Sequence, residues 1–327
     1  LTESVASMMT ANDLKKVFKL PNTKGMKSKV LIQRGHLTNY GAEVRQGIEL
    51  SGAKILSCGL KDSCSIEQLE KSLSKNRKNI ACAMYVVSHH CSDYNAIEIS
   101  KFLKLCKQYK VPTIIDAASE EYMEEFFKIG ADIAIFSAHK FMGSLTAGIL
   151  AGKKKYVKNI YLQNLGIGRG MKVGKEAIYA AIIGVENWYK RDWKKEINNQ
   201  NKILQFWLTF LAKEKFKGIT YEIIADPTGN KINRLRVHVD FKISKFTIQS
   251  LCYYLEKNNP SIFVRDDLIH LKHFELDTCN LKEGQEKIVM NELKKIILRL
   301  KSKKIKNNIS QKEYAIKSNK EWLSWLN

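Results

Sequence analysis

Between Val30 and Gly152 short apolar runs alternate with stretches whose apolar residues recur every three or four positions. The runs Val30–Gln33, Ala53–Ser57, Ile80–Val87, Pro112–Asp116, Asp132–Phe136 and Ala147–Ala151 predict strands. Several are apolar on both faces, as strands covered on two sides must be. The segments Tyr40–Ser51, Ser65–Asn76, Asn95–Lys110 and Glu120–Gly130 carry the helical period. Strand–helix–strand units of this length predict an α/β fold: a mostly parallel sheet with right-handed crossovers and helices on both faces.

After Tyr161 a glycine-punctuated loop, LGIGRGMKVGKE, leads into long helices reaching about Lys215. The pattern then changes. Strands at Ile219–Ile224 and Arg234–Phe241, a helix at Lys245–Lys257, further short strands and a helix at Glu283–Lys301 predict a compact α+β domain. The expected organisation is a large domain over residues 1–200, a small domain over 201–300 and a Lys-rich helical tail over 301–327.

Composition narrows the class without fixing it. A chain of 327 residues can hold both domains with ample core. No apolar run approaches the roughly 20 residues that span a bilayer; the longest, such as Ala177–Val185, suit buried helix. The first ten residues, LTESVASMMT, lack a basic start and a long apolar stretch, so no signal peptide is expected. Seven cysteines form no CxxC pair and no disulfide-like grid, which predicts reduced thiols and a cytoplasmic protein with no metal site. The net charge of +22 raises nucleic-acid binding. Lysines spread along the chain without an aromatic-plus-basic RNA motif are solvated faces instead, so no specific nucleic-acid partner is expected.

In an open α/β sheet ligands sit at the carboxyl ends of the strands. Asp116 ends the run VPTIIDA, and Lys140 follows DIAIFSAHK after a short turn. One βα unit separates them, so both can face one crevice. A cofactor with a pyridine nitrogen and an aldehyde needs this pair: the carboxylate keeps the ring protonated and the lysine forms the imine. Each residue alone has a plainer explanation. Asp116 can cap the segment that follows it, and a lysine after a strand is ordinarily surface. Ser137, three residues before Lys140, adds a hydroxyl that can bond a phosphate.

The segments IQRGHLTNYGAEVRQGIELSGAKI, YVVSHH, VPTIIDAASEE, GADIAIFSAHK, LQNLGIGRGMKVGKEAI and PSIFVRDD, in this order, resemble the selenium-transferase-like branch of pyridoxal-phosphate enzymes. That branch includes ammonia-lyases of amino-sugar acids and seryl-tRNA selenium transferases. The resemblance implies fold type I, the aspartate-aminotransferase-like fold, with a sheet of the seven-stranded type and a homodimer or larger assembly. It also implies pyridoxal 5′-phosphate on Lys140, Asp116 at the ring nitrogen and Ser137 at the phosphate. His90 would lie near the ring, with His89 equally available, and His139 adjoins the lysine. Gln33, Arg34 and His36 sit at another strand end, where substrate or phosphate could reach them. Arg169, Lys172 and Lys175 form a cationic loop suited to a phosphorylated or carboxylated substrate, and Arg265 suits a carboxylate.

There are departures from the pattern. Family members carry a further amino-terminal segment ending in a small-residue phosphate loop, so the chain is expected to be incomplete there. Near Asp277–Thr278–Cys279 relatives favour Asp-Pro-Arg, and Gly143–Gly148 holds Ser and Leu where relatives favour Gly-Pro. The expected activity is an ammonia-lyase type α,β-elimination on an amino acid or phosphorylated amino-sugar acid. Selenium transfer onto seryl-tRNA and a non-catalytic paralogue are the alternatives.

Overall fold

A computed structural model describes residues 1–279 and 281–321; residues 322–327 of the expected tail lie outside them. The chain divides into two compact units, Leu1–Arg191 and Asp192–Asn327.

In the first unit the strands are β1 (Lys29–Gln33), β2 (Lys54–Cys58), β3 (Ile80–Val86), β4 (Thr113–Asp116), β5 (Ile133–Ser137) and β6 (Gly148–Gly152). They lie in the order β2-β1-β3-β4-β5-β6, parallel except for β6, which runs antiparallel beside β5. The sheet among the described residues thus has six strands where seven were expected. Helices α1 (Thr2–Thr10), α2 (Leu14–Lys19), α3 (Val44–Glu49), α4 (Ile66–Asn76), α5 (Ile99–Gln108), α6 (Met123–Lys128), α7 (Lys154–Tyr161) and α8 (Lys175–Lys190) complete the unit.

Alternation along β1 shows why both sheet faces are covered. Val30 and Ile32 pack with Val5, Ala6 and Met9 of α1, Ile48 of α3 and Ile160 of α7. On the strand β3, Tyr85 turns the other way and meets Phe102 of α5 edge-on at 5.3 Å. Leu69 and Leu73 of α4 are fully buried as well. Asp132, just before β5, ties the amino-terminal ends together: its carboxylate accepts the Thr113 amide at 2.9 Å and the Lys153 ammonium at 2.6 Å.

Several helices are shorter than their apolar period suggests. The segment from Tyr40 bends before α3 begins, because Asn39 Oδ1 accepts the Gly41 amide at 2.9 Å and Gly41 takes φ +101°. Helix α5 starts at Ile99 behind a Glu98 cap, and α6 starts only at Met123. The glycine-punctuated loop coils into 3-10 turns at Leu162–Leu165 and Ile167–Met171.

The second unit begins with α9 (Trp193–Glu214) and contains the antiparallel sheet β7 (Ile219–Ala225), β8 (Asn233–Val239) and β9 (His273–Asp277). Helices α10 (Phe241–Ser244), α11 (Ile248–Glu256), α12 (Gln285–Lys301) and α13 (Gln311–Glu321) follow in chain order. Trp207, Leu235, Val237, Leu251, Phe274, Met290 and Ile297 fill its core. The described part of the tail is bound to this unit: Ile309 is fully buried, and its carbonyl accepts the Thr247 hydroxyl at 2.9 Å. No helix among the described residues is long and apolar enough to cross a membrane.

Candidate active site

The parallel ladder carries Asp116 opposite Ile135 and continues past the end of β4, where the Ala117 amide donates to the Ile135 carbonyl at 3.0 Å. One residue pair further, the Ser137 amide donates to the Ala118 carbonyl at 3.1 Å. Both chains therefore leave the sheet together. A turn closed by the Lys140 amide on the Ser137 carbonyl, 3.3 Å, then brings Lys140 back over the strand ends. Its Nζ lies 2.5 Å from Ser119 Oγ.

Asp116 is only 6% exposed. Burial raises its pKa above the ordinary carboxylate value, while the ammonium of Leu1, then the Lys140 charge and a hydrogen bond from the Ala118 amide, oppose that rise. A carboxylate held in so dry a place is stabilised by a cation, and a protonated pyridine nitrogen meets that demand. Tyr40, delivered by the bend before α3, feels the same charge: its pKa is pushed up to about 12 by burial and by Asp116. Cys91 is likewise pushed up to about 12 by burial first and Asp116 second. His89 and His90 follow β3 on a 3-10 turn that starts where the His90 amide donates to Ser88 Oγ, 3.3 Å. Their ring centroids lie 4.0 Å apart, the planes tilted by 39°.

Asp116, Ser137 and Lys140 thus share the carboxyl ends of neighbouring strands, and His89 and His90 leave the strand beside β4. His139 is exposed beside Lys140, and Ser137 is half-buried. Arg34 is exposed on the turn after β1. Gln33 and His36 point inward instead. Gln33 Oε1 accepts the Ile97 amide at 2.8 Å, and His36, 1% exposed, accepts the Val86 amide on Nδ1 at 3.3 Å. Arg169, Lys172 and Lys175 are exposed on the 3-10 turn and the start of α8. Arg265 belongs to the second unit, where its Nη1 pairs with Asp277 Oδ2 at 3.3 Å. The same carboxylate accepts Nε of buried Arg234 at 3.0 Å and, on Oδ1, the Cys279 amide at 2.8 Å.

Sequence reasoning missed two residues. Tyr40 was assigned to a helix, although Asn-Tyr-Gly is a turn signal. Ser119 lies in the segment after Asp116, and no local signal marks it as the lysine's partner.

A mostly parallel sheet with a buried strand-end aspartate and a lysine one βα unit later is the framework of the fold type I pyridoxal-phosphate enzymes. Solved structures of that class align along the chain. Alanine–glyoxylate aminotransferase from Nostoc sp. matches at a TM-score of 0.57 and 13% identity, covering 90% of this chain and 78% of that one, which speaks for the fold alone. D-Glucosaminate-6-phosphate ammonia-lyase matches at a TM-score of 0.75 and 28% identity, covering 91% of this chain and 78% of that one.

The chain belongs to the L-seryl-tRNA selenium transferase (SelA) family, whose model matches residues 1–209. It is 29% identical over 295 residues to a D-glucosaminate-6-phosphate ammonia lyase of Salmonella typhimurium, 90% of this chain and 77% of that protein. It is 23% identical over 218 residues to an L-seryl-tRNA(Sec) selenium transferase of Carboxydothermus hydrogenoformans, 60% of this chain and 45% of that protein.

Proposed function

We propose that the chain is a pyridoxal-phosphate-dependent lyase that performs α,β-elimination on an amino acid or phosphorylated amino-sugar acid. The observation that carries this reading is buried Asp116 and Lys140, whose charge acts on it, where the adjacent parallel strands β4 and β5 end. The likeness over 295 residues to a protein named as an ammonia lyase supports it.

When bound, the cofactor supplies an electrophilic carbon that takes an amine and a ring that withdraws electrons. Lys140 would hold it covalently, Asp116 would keep the ring nitrogen protonated, and Ser137 would bond the phosphate. His90, with His139 as the exposed neighbour of the lysine, would complete the cofactor contacts. Ser119 Oγ accepts from Lys140 Nζ and so fixes where that nitrogen waits. The Lys140 amine would take the proton from the substrate α-carbon and pass a proton to the β-hydroxyl, which would then leave as water. Arg34, Arg169, Lys172 and Lys175, all exposed in the first unit, would supply the cations for a substrate phosphate or carboxylate. Enclosed His36 supports the turn that carries Arg34.

The working form is a homodimer. Helix α8 leaves Ile178, Tyr179, Ile182 and Ile183 on its surface, with Tyr179 69% exposed, and a second copy is the partner that covers them. Seven scattered cysteines without disulfide-like spacing support the reading of a reducing, cytoplasmic location.

Adding pyridoxal phosphate to the purified protein is expected to give a visible absorbance band that borohydride fixes on Lys140 and that Lys140→Ala abolishes. An unchanged band in Lys140→Ala would overturn the lysine's role; no band in the parent chain would leave a non-catalytic relative. The family's name and the charge of +22 favour a second reading, selenium transfer to seryl-tRNA. Absence of tRNA binding at physiological salt removes it.

A further inference from the structure

Cys58 ends β2, and Cys64 stands just before α4, with their sulfurs 3.8 Å apart. The backbone sets that approach from both sides. Gly59 takes φ +89°, and a Cβ there would lie 2.7 Å from Cys64 Cβ, so only glycine lets the chain fold back so closely. Ser65 begins α4 with a capping box: its hydroxyl accepts the Gln68 amide at 3.3 Å, and its own amide donates to Gln68 Oε1 at 2.9 Å. The Cys64 amide donates to the Asn95 carbonyl at 3.0 Å. Both thiols are enclosed, at 4% and 7% exposed, under a turn closed by the Leu60 amide on the Ser63 carbonyl, 2.7 Å. Leu60 at its tip is 58% exposed, so the turn beside the pair faces solvent.

We propose that Cys58 and Cys64 form a dithiol site that reacts with a small-molecule disulfide of the glutathione class and closes to an intramolecular disulfide. The two sulfurs have different parts. Cys64 precedes α4 outside the sheet, is the less enclosed at 7% against 4% and has its pKa held down, whereas the Cys58 thiol is held in β2 on the Ile32 carbonyl at 3.6 Å. Cys82, Cys106 and Cys252, by contrast, are all pushed up by burial. The Cys64 thiolate therefore attacks first. It forms a bond to one sulfur of glutathione disulfide and expels one glutathione thiolate. Cys58 then loses its proton, attacks Cys64 Sγ and expels the second. Two electrons pass from the protein to the glutathione pair, and the two protons go to the released thiolates.

Trypsin provides the test, because Lys61 lies between the cysteines and cleavage there puts Cys58 in peptide 55–61 and Cys64 in peptide 62–71. The full chain, treated with glutathione disulfide, alkylated and digested, is expected to yield these peptides joined, two hydrogens short of their sum and separated by reductant. Two of the seven alkylatable thiols are lost. In Cys58→Ser glutathione should remain on Cys64, and in Cys64→Ser neither product should form. Absence of the joined peptides from the parent chain, or glutathione stalled on Cys64 with Cys58 still alkylatable, overturns the proposal. So does a Cys64→Ser protein that takes glutathione on Cys58 as readily as the parent reacts.

Discussion

His36 accepts an amide hydrogen from Val86 and lies edge-on to Tyr85 at 4.4 Å, so a proton on its ring has no place to go. Burial pushes its pKa from the ordinary 6.5 down to about 4. Between those values the unfolded chain binds a proton that the folded chain excludes. Stability is therefore whole above about 6.5 and falls as the pH drops towards about 4, by about 3 kcal/mol at most. Thermal melts at pH 7 and pH 5 should show a drop in Tm that shrinks in His36→Asn, whose amide can still accept from Val86; equal drops in both proteins would refute this. At this scale the sequence showed which residues stand at strand ends but not which way they turn. Strand periodicity locates the ends at Asp116 and Ser137, with Lys140 one turn beyond, and the structure brings these ends together. Gln33 and His36 stand at an equivalent end and yet face inward, because the 3-10 turn after β1 folds the chain back, and a three-residue turn has no period to read.

Helix α4 came out of the sequence nearly whole. Ser65 and Gln68 mark its start, and Leu69 and Leu73 repeat at the helical interval on its buried face. Leu73→Ala is expected to destabilise the protein by about 2–5 kcal/mol, since it opens a cavity against a rigid sheet. Urea unfolding monitored by circular dichroism reads this as a lower midpoint, and an unchanged midpoint would mean that α4 does not contribute to the cooperative unit. Helix α3 was overextended towards its amino terminus because Tyr40 fits the apolar pattern, while the Asn39 side chain and Gly41 stop the helix locally. Here short-range hydrogen bonding overruled periodicity, and the bend it made is what places Tyr40 in the field of Asp116.

For the whole molecule, the two-part plan was legible from the change of pattern after Lys215. The junction is harder to read, because an amphipathic helix reads alike on either side of a boundary; the first compact unit closes at Arg191. The tail from residue 301 looked detachable on composition, yet Ile309 anchors it inside the second unit. Assembly is the property best tested at this scale. Ile182, 51% exposed on α8, should become intolerable at a subunit contact once charged. Ile182→Glu is expected to move the protein from dimer to monomer in sedimentation velocity while leaving its circular dichroism intact. A parent chain that sediments as a monomer would refute the assignment of α8.

Asp132 gathers Thr113 and Lys153 at the foot of the sheet, the end away from Asp116 and Lys140. The strands are laced at one end and carry their chemistry at the other. A substitution among the loops at the end proposed for the cofactor leaves the lacing untouched, so contacts there are expected to change without altering how the sheet folds. Divergence of this kind is a property of the scaffold before it is one of any single activity.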